Sequence, residues 1–331
     1  MINESNEISI AIIGAGLAGL SCATQLQAKG YKVKVFEKSH GPSGRMSTRN
    51  RSDWSADHGA QYFTARDPLF IHELNVWIRD GIAAAWHPLL QVFEDGYWRK
   101  STSLENRYVG VPAMNSPGKY LAKKLAVQYQ QTIDQISHQD GKWTLHSAKE
   151  GNINEQFDCL VLAIPAPQAF ALINLIDPSI EKKNLVSMFG CWTVMASFTE
   201  KQNMDFDAAF INGEMISWIC RNNSKPGRVG RETWTIHGNP QWSQESIELD
   251  QEEALKHLQE CSIKLGLDLK GAEISVHRWR YASGSVEKNS EFQFYENTRL
   301  GLCGDWLHGG RVEGAWLSGY KLANAINRNL T

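Results

Sequence analysis

The stretch that most constrains the fold runs from Ile8 to Glu37. An apolar run leads into a glycine-rich turn, an apolar helix follows, and a second apolar strand ends at an acid. In chain order these segments are Ile8–Ile13, Gly14–Gly19, Leu20–Ala28, Tyr31–Phe36 and Glu37. This order and spacing predict a βαβ unit that binds a dinucleotide.

Each conspicuous residue of this stretch has a physical task in such a unit. Gly14 permits the tight turn, Gly16 lets the backbone approach a pyrophosphate, and Gly19 lets the helix pack closely on the strand. The helix N-terminus offers free N–H groups and partial positive charge to the phosphates. Glu37 follows about 20 residues after Gly16 and is expected to accept hydrogen bonds from a ribose diol.

The bulk properties exclude several classes of protein. The chain has 331 residues, enough for two domains, and its net charge of −2 does not favour nucleic acid or an anionic membrane as a partner. Its six cysteines include no C-x-x-C pair, and no histidine or carboxylate cluster has metal-ligand spacing, so neither a disulfide framework nor a metal site is predicted. The sequence gives no indication of oligomeric state.

The longest apolar stretch, Ile8–Leu26, could in principle be a signal peptide or a membrane span. Glu4 and Glu7 precede it instead of Lys or Arg, and glycines interrupt it. We therefore expect a cytoplasmic protein that does not bind a membrane.

Further glycine-rich blocks follow the βαβ unit. The segments Gly41-Pro42-Ser43-Gly44-Arg45-Met46 and Asp57-His58-Gly59-Ala60-Gln61-Tyr62-Phe63-Thr64 come early, and Gly301-Leu302-Cys303-Gly304-Asp305-Trp306 and 310–319 come late. Together with the opening unit, these blocks resemble the FAD-binding amine oxidase superfamily, and within it most closely the bacterial renalase-like flavoproteins. Trp242-Ser243 and the run 277–282 support the latter resemblance.

The resemblance implies an α/β fold, with an FAD-binding Rossmann-type domain of the amine oxidase and p-hydroxybenzoate hydroxylase kind. Residues 1–67, 105–175 and 283–331 are assigned to that domain. Residues 68–104 and 176–282 are assigned to an inserted α+β substrate domain with an antiparallel sheet. Helices are predicted over Leu69–Asp80, Tyr120–Val127, Ile247–Leu265 and Val312–Asn329.

One noncovalently bound FAD is expected, because the closing block contains no cysteine except Cys303, and that residue lies in a predicted strand before Gly304. The motifs and the resemblance assign its contacts to Gly14, Gly16, Leu17, Ala18, Gly19, Glu37, Lys38, Gly44, Arg45, Gly59, Ala60, Gln61, Ile133, Asp305, Val312, Glu313 and Ala315. For Ile133 alone, an ordinary core strand is an equally good interpretation. Gly310, Gly314 and Gly319 are attributed to the approach of the final helix to the flavin, since a purely structural helix would not need them.

Substrate contacts are expected from residues beside the flavin blocks. They are Gln61, Tyr62, Phe63, Thr64, Arg66, Trp279, Tyr281 and Trp306. Arg221, Lys225 and Arg228, in a polar loop that could equally be a solvated hairpin, are expected with Arg66 near the entrance. There they would attract phosphates and repel a cationic amine. His237 and His277 are read as core or cavity-wall residues in preference to catalytic bases.

The renalase resemblance implies oxidation of dihydronicotinamide dinucleotides hydrogenated at C2 or C6, with hydride transfer to flavin N5 and electrons passed to O2 to give H2O2 and NAD(P)+. The flavin carries this chemistry, so no catalytic side chain is predicted. The alternative is an amine oxidase acting on a small amine. A protein that has the flavin fold but only binds partners is a third possibility, which the intact Glu37, Arg45, Gly304 and Asp305 disfavour.

Overall fold

A computed structural model describes residues 8–174, 176–177, 187–284 and 290–331 of the chain. The described residues form seven α-helices. In chain order they are α1 (Leu17–Ala28), α2 (Pro68–Arg79), α3 (Ser116–Ala122), α4 (Ala166–Ile173), α5 (Pro240–Glu245), α6 (Gln251–Lys264) and α7 (Val312–Leu330).

The same residues contain twenty β-strands. They are β1 (Ser9–Ile13), β2 (Lys32–Glu37), β3 (Thr48–Asn50), β4 (Ser55–Asp57), β5 (Ala83–Trp86), β6 (Leu90–Glu94), β7 (Tyr97–Lys100), β8 (Arg107–Gly110), β9 (Ala126–Tyr129), β10 (Ile133–Gln139), β11 (Lys142–Ser147), β12 (Gly151–Asn152), β13 (Cys159–Leu162), β14 (Met188–Phe198), β15 (Ala208–Ile211), β16 (Ile216–Arg221), β17 (Glu232–Gly238), β18 (Glu273–Gly284), β19 (Gln293–Tyr295) and β20 (Leu300–Leu302).

The first large sheet is almost entirely parallel. Its strand order is β19-β20-β13-β1-β2-β9, and only the edge strand β19 runs antiparallel to its neighbour. Side chains of β1 alternate between the two faces. Ile10 and Ile12 join the core with α1 and α7, whereas Ala11 and Ile13 join the core with α4 and β10. Helices and strands therefore cover both faces of the sheet, as the predicted α/β class requires.

The second large sheet has the order β18-β14-β17-β16-β15-β6-β7 and is antiparallel except between β15 and β6. One face packs against α6, through Leu258 and Cys261 among others. Its strands come from residues 90–100 and 188–284. Helix α2 contributes Phe70, Leu74 and Trp77 to the core that holds α1 and α7.

One predicted helix is wrong in its second half. The sequence pattern predicts a helix over Tyr120–Val127, but α3 ends at Ala122 and Val127 lies in β9. Val127 pairs with Val35 of β2, so the segment completes the edge of the parallel sheet. A tertiary pairing overrides the local pattern here.

No helix among the described residues is both long and apolar enough to cross a membrane. Likewise, in the described ranges no group of three His, Cys, Asp or Glu side chains is arranged to hold a metal ion.

Two glycines of the last helix are explained by packing. A Cβ on Gly319 would overlap the carbonyl oxygen of Ala18 in α1, and one on Gly314 would overlap the carbonyl oxygen of His308. The helices α1 and α7 approach each other closely only because Gly319 has no side chain. The attribution of Gly314 and Gly319 to the flavin is therefore corrected, since the packing of the chain itself requires them.

We expect Gly319→Ala to destabilise the protein by about 1–3 kcal/mol, because the new methyl group must separate two helix backbones. Gly41→Ala is the matched control, since a Cβ there meets open space at an ordinary backbone conformation. Urea unfolding followed by circular dichroism measures both variants. Equal unfolding midpoints for Gly319→Ala and Gly41→Ala would contradict the packing explanation.

Candidate active site

A cleft of about 1660 Å³ opens at the carboxyl end of β1. The neighbours β2 and β13 lie on opposite sides of β1, so the chain leaves this strand at the topological switch point where open α/β sheets bind ligands. The cleft extends from the glycine turn to the second sheet, where residues of β14–β18 complete its wall.

Most of the predicted cofactor residues line this cleft. They are Gly14, Gly16, Leu17, Ala18, Glu37, Lys38, Gly44, Arg45, Gly59, Ala60, Gln61, Ile133, Asp305, Val312 and Ala315. Two predicted residues are not in the lining, Gly19 and Glu313. Among the predicted substrate contacts, Arg66 alone lies outside it.

The glycine turn has the geometry that a close ligand needs. Gly14 has φ of +105°, and its N–H donates to the Phe36 carbonyl at 2.8 Å. A Cβ on Gly19 would overlap the Gly14 carbonyl oxygen and touch Ala163, so Gly19 holds helix, turn and neighbouring strand together. A Cβ on Gly16, by contrast, would meet open space. Protein packing does not explain Gly16, whereas a ligand passing over its backbone does.

Glu37 is fixed at the end of β2. Its two carboxylate oxygens accept the N–H groups of Ala15 and Ser39, each at 2.8 Å, and its side chain is buried against the turn. Each carboxylate oxygen has a second lone pair. Its predicted contact with a ribose diol is compatible with this placement and stays a prediction.

The second glycine loop packs on the first. Ser43 adopts a left-handed conformation with φ of +96°, and its N–H donates to the Ala15 carbonyl at 2.8 Å. Gly44 approaches the Gly16 Cα so closely that a Cβ would lie 3.3 Å from it. The two loops together form one groove of backbone groups, a shape that admits a pyrophosphate.

Arg45 and Asp305 come together from opposite ends of the chain. The guanidinium forms a two-pronged ion pair with the carboxylate, with one N–O distance of 3.0 Å, and it also donates to the Ala282 carbonyl. The sequence predicts each of them separately as a cofactor contact. Their mutual pairing orients both groups at the edge of the groove.

The inner end of the cleft is walled by aromatic rings. Trp279 stacks on His58 with ring centroids 5.1 Å apart, and its indole N–H donates to the His58 carbonyl at 3.0 Å. The rings of Tyr62 and Trp218 also line this end, and their centroids are 5.6 Å apart. We refer to this part, lined by His58, Gly59, Tyr62, Trp218, His237 and Trp279, as the ring chamber.

The histidines of this region are neutral at pH 7. Burial, with the neighbouring His277 and Arg49, lowers the pKa of His58 to about 3. Burial likewise lowers the pKa of His237 and of His277 to about 4, and Arg49 adds to the effect at His277. His237 and His277 are wall residues of the cleft, as the preferred interpretation had them.

A buried ion cluster beneath the chamber is not in the sequence predictions. The Asp57 carboxylate, fully buried, lies 3.2 Å from the Lys225 ammonium and 2.6 Å from the Arg228 guanidinium. Burial alone would raise the pKa of Asp57, but the two cations hold it at about 2. Lys225 also donates to Gln61 at 3.0 Å, which fixes that amide below the chamber.

The expected basic entrance is therefore wrong in its details. Lys225 and Arg228 are buried with Asp57, and Arg221 faces Asp207 and Glu232. The opposing charge of Asp57 holds the first two in the interior, because buried cations need a partner.

The side chains of four predicted contact residues are engaged with other parts of the protein. The Arg66 guanidinium pairs with Glu105, and the Glu313 carboxylate accepts the N–H groups of Arg66 and Asp67 at 2.6 and 2.7 Å. Phe63 packs in the core against Phe70, Trp77 and Tyr108. Trp306 borders the cleft, but it is only 2% exposed, packs against Phe170 and donates to the Ile164 carbonyl. Tyr62, Thr64, Trp279 and Tyr281 line the cleft, and Trp279 is held in place by its contacts with His58.

Comparison with known proteins decides the family. A model described as flavin containing amine oxidoreductase matches residues 83–327, and one described as NAD(P)-binding Rossmann-like domain matches residues 12–72. The chain belongs to the flavin containing amine oxidoreductase family. It is accordingly an oxidoreductase of this family, and its cofactor is FAD.

Solved structures share the fold. A structure assigned as a protoporphyrinogen oxidase from Exiguobacterium sp. 255-15 has a TM-score of 0.78 and 11% identity, covering 97% of this chain and 99% of that chain. Cyclohexylamine oxidase from Brevibacterium oxydans has a TM-score of 0.74 and 12% identity, covering 98% and 99%. At identities this low, the similarity shows a shared fold only.

Curated relatives are similar over shorter segments. L-amino acid oxidase Cdc18 of Crotalus durissus cumanensis is 44% identical over 55 residues, which are 17% of this chain and 11% of that protein. The tRNA 5-methylaminomethyl-2-thiouridine biosynthesis bifunctional protein MnmC of Magnetococcus marinus is 29% identical over 224 residues, 53% of this chain and 32% of that protein. The similarity spans about a tenth of the length of the first of these relatives.

The groove fits the FAD of this family. Gly16 leaves open the space that a Cβ would fill, the second glycine loop packs beside it, and the Arg45–Asp305 pair lies at the edge. These residues would hold the pyrophosphate, with Glu37 towards the adenosine and Gly59 and Ala60 towards the flavin ring.

We expect Gly19→Val to weaken FAD binding more than Glu37→Ala does. Valine would push α1 away from the turn and withdraw its N–H groups from the phosphates, whereas loss of Glu37 removes hydrogen bonds to one charged acceptor. Such bonds are worth about 1.5–3 kcal/mol, or on the order of tenfold to a hundredfold in affinity.

FAD titration into the two apo-variants, with bound flavin checked by acid release, measures the difference. Tyr97→Ala, which removes an exposed side chain of β7 outside the groove, is the control and should bind FAD like the unchanged protein. Equal losses in the two variants, or a larger loss for Glu37→Ala, would contradict the assigned roles.

Proposed function

We propose that the chain is an FAD-dependent oxidase of dihydronicotinamide dinucleotides hydrogenated at C2 or C6, a renalase-like activity. The single observation that carries this proposal is the character of the cleft: an aromatic, uncharged ring chamber beside a wall that bears arginines. Such a cleft suits a flat neutral ring attached to an anionic tail. We also propose that FAD is held noncovalently.

The carboxylates of the described lining are already engaged. Glu37 accepts two backbone N–H groups, Asp305 pairs with Arg45, Glu105 pairs with Arg66 and Asp134 pairs with His146. An ammonium group that left water would need such an acid near the chamber. Among the described lining residues none is left for that task, which favours a neutral donor over a protonated amine.

The positive charge of the wall comes from arginines that sequence analysis did not single out. Arg49, Arg51 and Arg311 line the cleft, whereas the guanidinium of Arg278 donates to the carbonyls of Ile247 and Leu249. They take the place of Lys225 and Arg228, which are buried. Clustered positive charge beside a low-dielectric cleft raises the local concentration of anionic substrates.

The residues of the chain orient and shield the reaction. When bound, FAD supplies a two-electron acceptor, so that a dihydronicotinamide leaves as NAD(P)+ and O2 leaves as H2O2. Tyr62 and Trp218 line the cleft, where their rings would contact a flat substrate. The N-terminus of α7, at Val312, directs free N–H groups and partial positive charge into the cleft, which stabilises negative charge there. The neutral histidines keep additional charge out of the chamber.

An amine oxidase acting on a small amine is the second candidate. The family itself favours it, and the fold is shared with cyclohexylamine oxidase and with putrescine oxidase bound to putrescine. The aromatic chamber would accept an amine in its uncharged form.

We expect a 2-dihydro or 6-dihydro isomer of NAD(P)H to bleach the flavin rapidly when mixed anaerobically with the holoenzyme. Ordinary 4-dihydro NADH should be slower, because the carbon that bears its hydride would lie away from the flavin N5 in the same pose. Tyr62→Ala should slow reduction by about tenfold to a hundredfold and leave FAD bound, since the ring supplies orientation.

Stopped-flow absorbance measures these rates, with cyclohexylamine and putrescine as the competing donors. Tyr97→Ala, an exposed tyrosine on β7, is the matched control and should react like the unchanged protein. Rapid bleaching by an amine, with none by any isomer, would overturn the proposal in favour of the amine oxidase.

A further inference from the structure

Arg49 places a guanidinium in the cleft wall, and no carboxylate of the described residues forms an ion pair with it. It lies on β3, and one terminal nitrogen is 3.4 Å from Nδ1 of His277 on β18. Its Nε is buried and has no hydrogen-bond partner within the described part of the chain. A buried N–H group without a partner is costly, so this donor is free to be satisfied by a ligand.

The acids around this hairpin are already committed to other cations. The pairs are Asp57 with Lys225 and Arg228, and Asp53 and Glu273 with Arg231. His277 and the adjacent His58 are neutral, since burial lowers the pKa of both. The charge of Arg49 is therefore not balanced by any described residue that faces it.

A second arginine reinforces the positive charge. Arg51 lines the cleft two residues further along the hairpin, and its guanidinium donates to the Ser275 hydroxyl at 3.3 Å. Burial and the proximity of Arg51 lower the pKa of Arg49, which is the effect expected of two like charges in one wall. An anion bound between the two guanidinium groups would reduce the repulsion between their charges.

We propose that Arg49, with Arg51 beside it, binds a phosphoryl group on the tail of the substrate. The planar guanidinium can donate from Nε and a terminal nitrogen to two phosphoryl oxygens at once, a geometry that a single-point cation does not offer. This inference rests on the proposed function and adds the specificity of that site: the enzyme prefers a phosphorylated donor. The cofactor pyrophosphate has its own groove at Gly16 and Arg45.

The first experiment compares two donors in steady state: a dihydronicotinamide isomer as its 5′-mononucleotide, and the same isomer as the riboside without phosphate. In the unchanged enzyme the mononucleotide should have the lower KM. Arg49→Gln should raise the KM of the mononucleotide on the order of tenfold to a hundredfold, the value of a lost charge-assisted hydrogen bond. The KM of the riboside, and the FAD content, should stay unchanged.

Two further variants separate the subsite from a general loss of charge or fold. Arg49→Lys keeps the charge but loses the planar pair of hydrogen-bond donors. The KM of the mononucleotide should therefore lie between those of Arg49→Gln and the unchanged enzyme. Arg231→Gln removes the same charge from a guanidinium that already faces two carboxylates, and it should leave both KM values unchanged. A rise of the mononucleotide KM in Arg231→Gln equal to that in Arg49→Gln would overturn the proposal.

The second experiment does not depend on turnover. Titration of the holoenzyme with inorganic pyrophosphate should perturb the flavin spectrum, and the affinity should fall in Arg49→Gln. If pyrophosphate binds in this way but no isomer bleaches the flavin, the subsite stands and the proposed function fails. If the isomers bleach the flavin but Arg49→Gln keeps both the phosphate preference and pyrophosphate binding, the subsite fails and the proposed function stands.

Discussion

The buried ion cluster at Asp57 is the interaction on which the rest of the site depends. Its carboxylate is bound by Lys225 and Arg228 from the loop after β16, and by the N–H of Met114 at 3.1 Å. The β3–β4 hairpin, the second sheet and the segment before α3 thus meet at one charge. Removal of a single member of such a cluster leaves an unpaired buried charge, at a cost of about 3–5 kcal/mol.

This cluster also decides the electrostatics of the cleft. Because it confines two cations to the interior, the chamber above it is lined by neutral rings, and Lys225 helps to lower the pKa of His237. The uncompensated positive charge lies instead at Arg49 on β3. The neighbouring strand of the same hairpin, β4, carries Asp57. The β3–β4 hairpin therefore lies between a neutral chamber and a cationic wall. This division of charge suits a substrate with a neutral ring and an anionic tail.

The sequence was sufficient where the relevant contacts are local. Gly16 and Glu37 could be placed because the fingerprint fixes them at a strand or helix end, and Arg45 because the second glycine loop follows directly on the strand that ends at Glu37. The Asp57–Lys225 pair could not, because its members lie 168 positions apart and neither residue carries a local signal of its partner. Val127 was misplaced for the same reason, since its β conformation comes from pairing with Val35.

The central claim is that the ring chamber carries no charge at neutral pH, and histidine NMR tests it most directly. In protein labelled with 13C-histidine, the resonances of His58, His237 and His277 can be assigned through single His→Gln variants. They should not titrate between pH 7.5 and pH 5, since each pKa is lowered to about 3 or 4. A titration of any of the three with a midpoint near 6.5 would contradict an uncharged chamber.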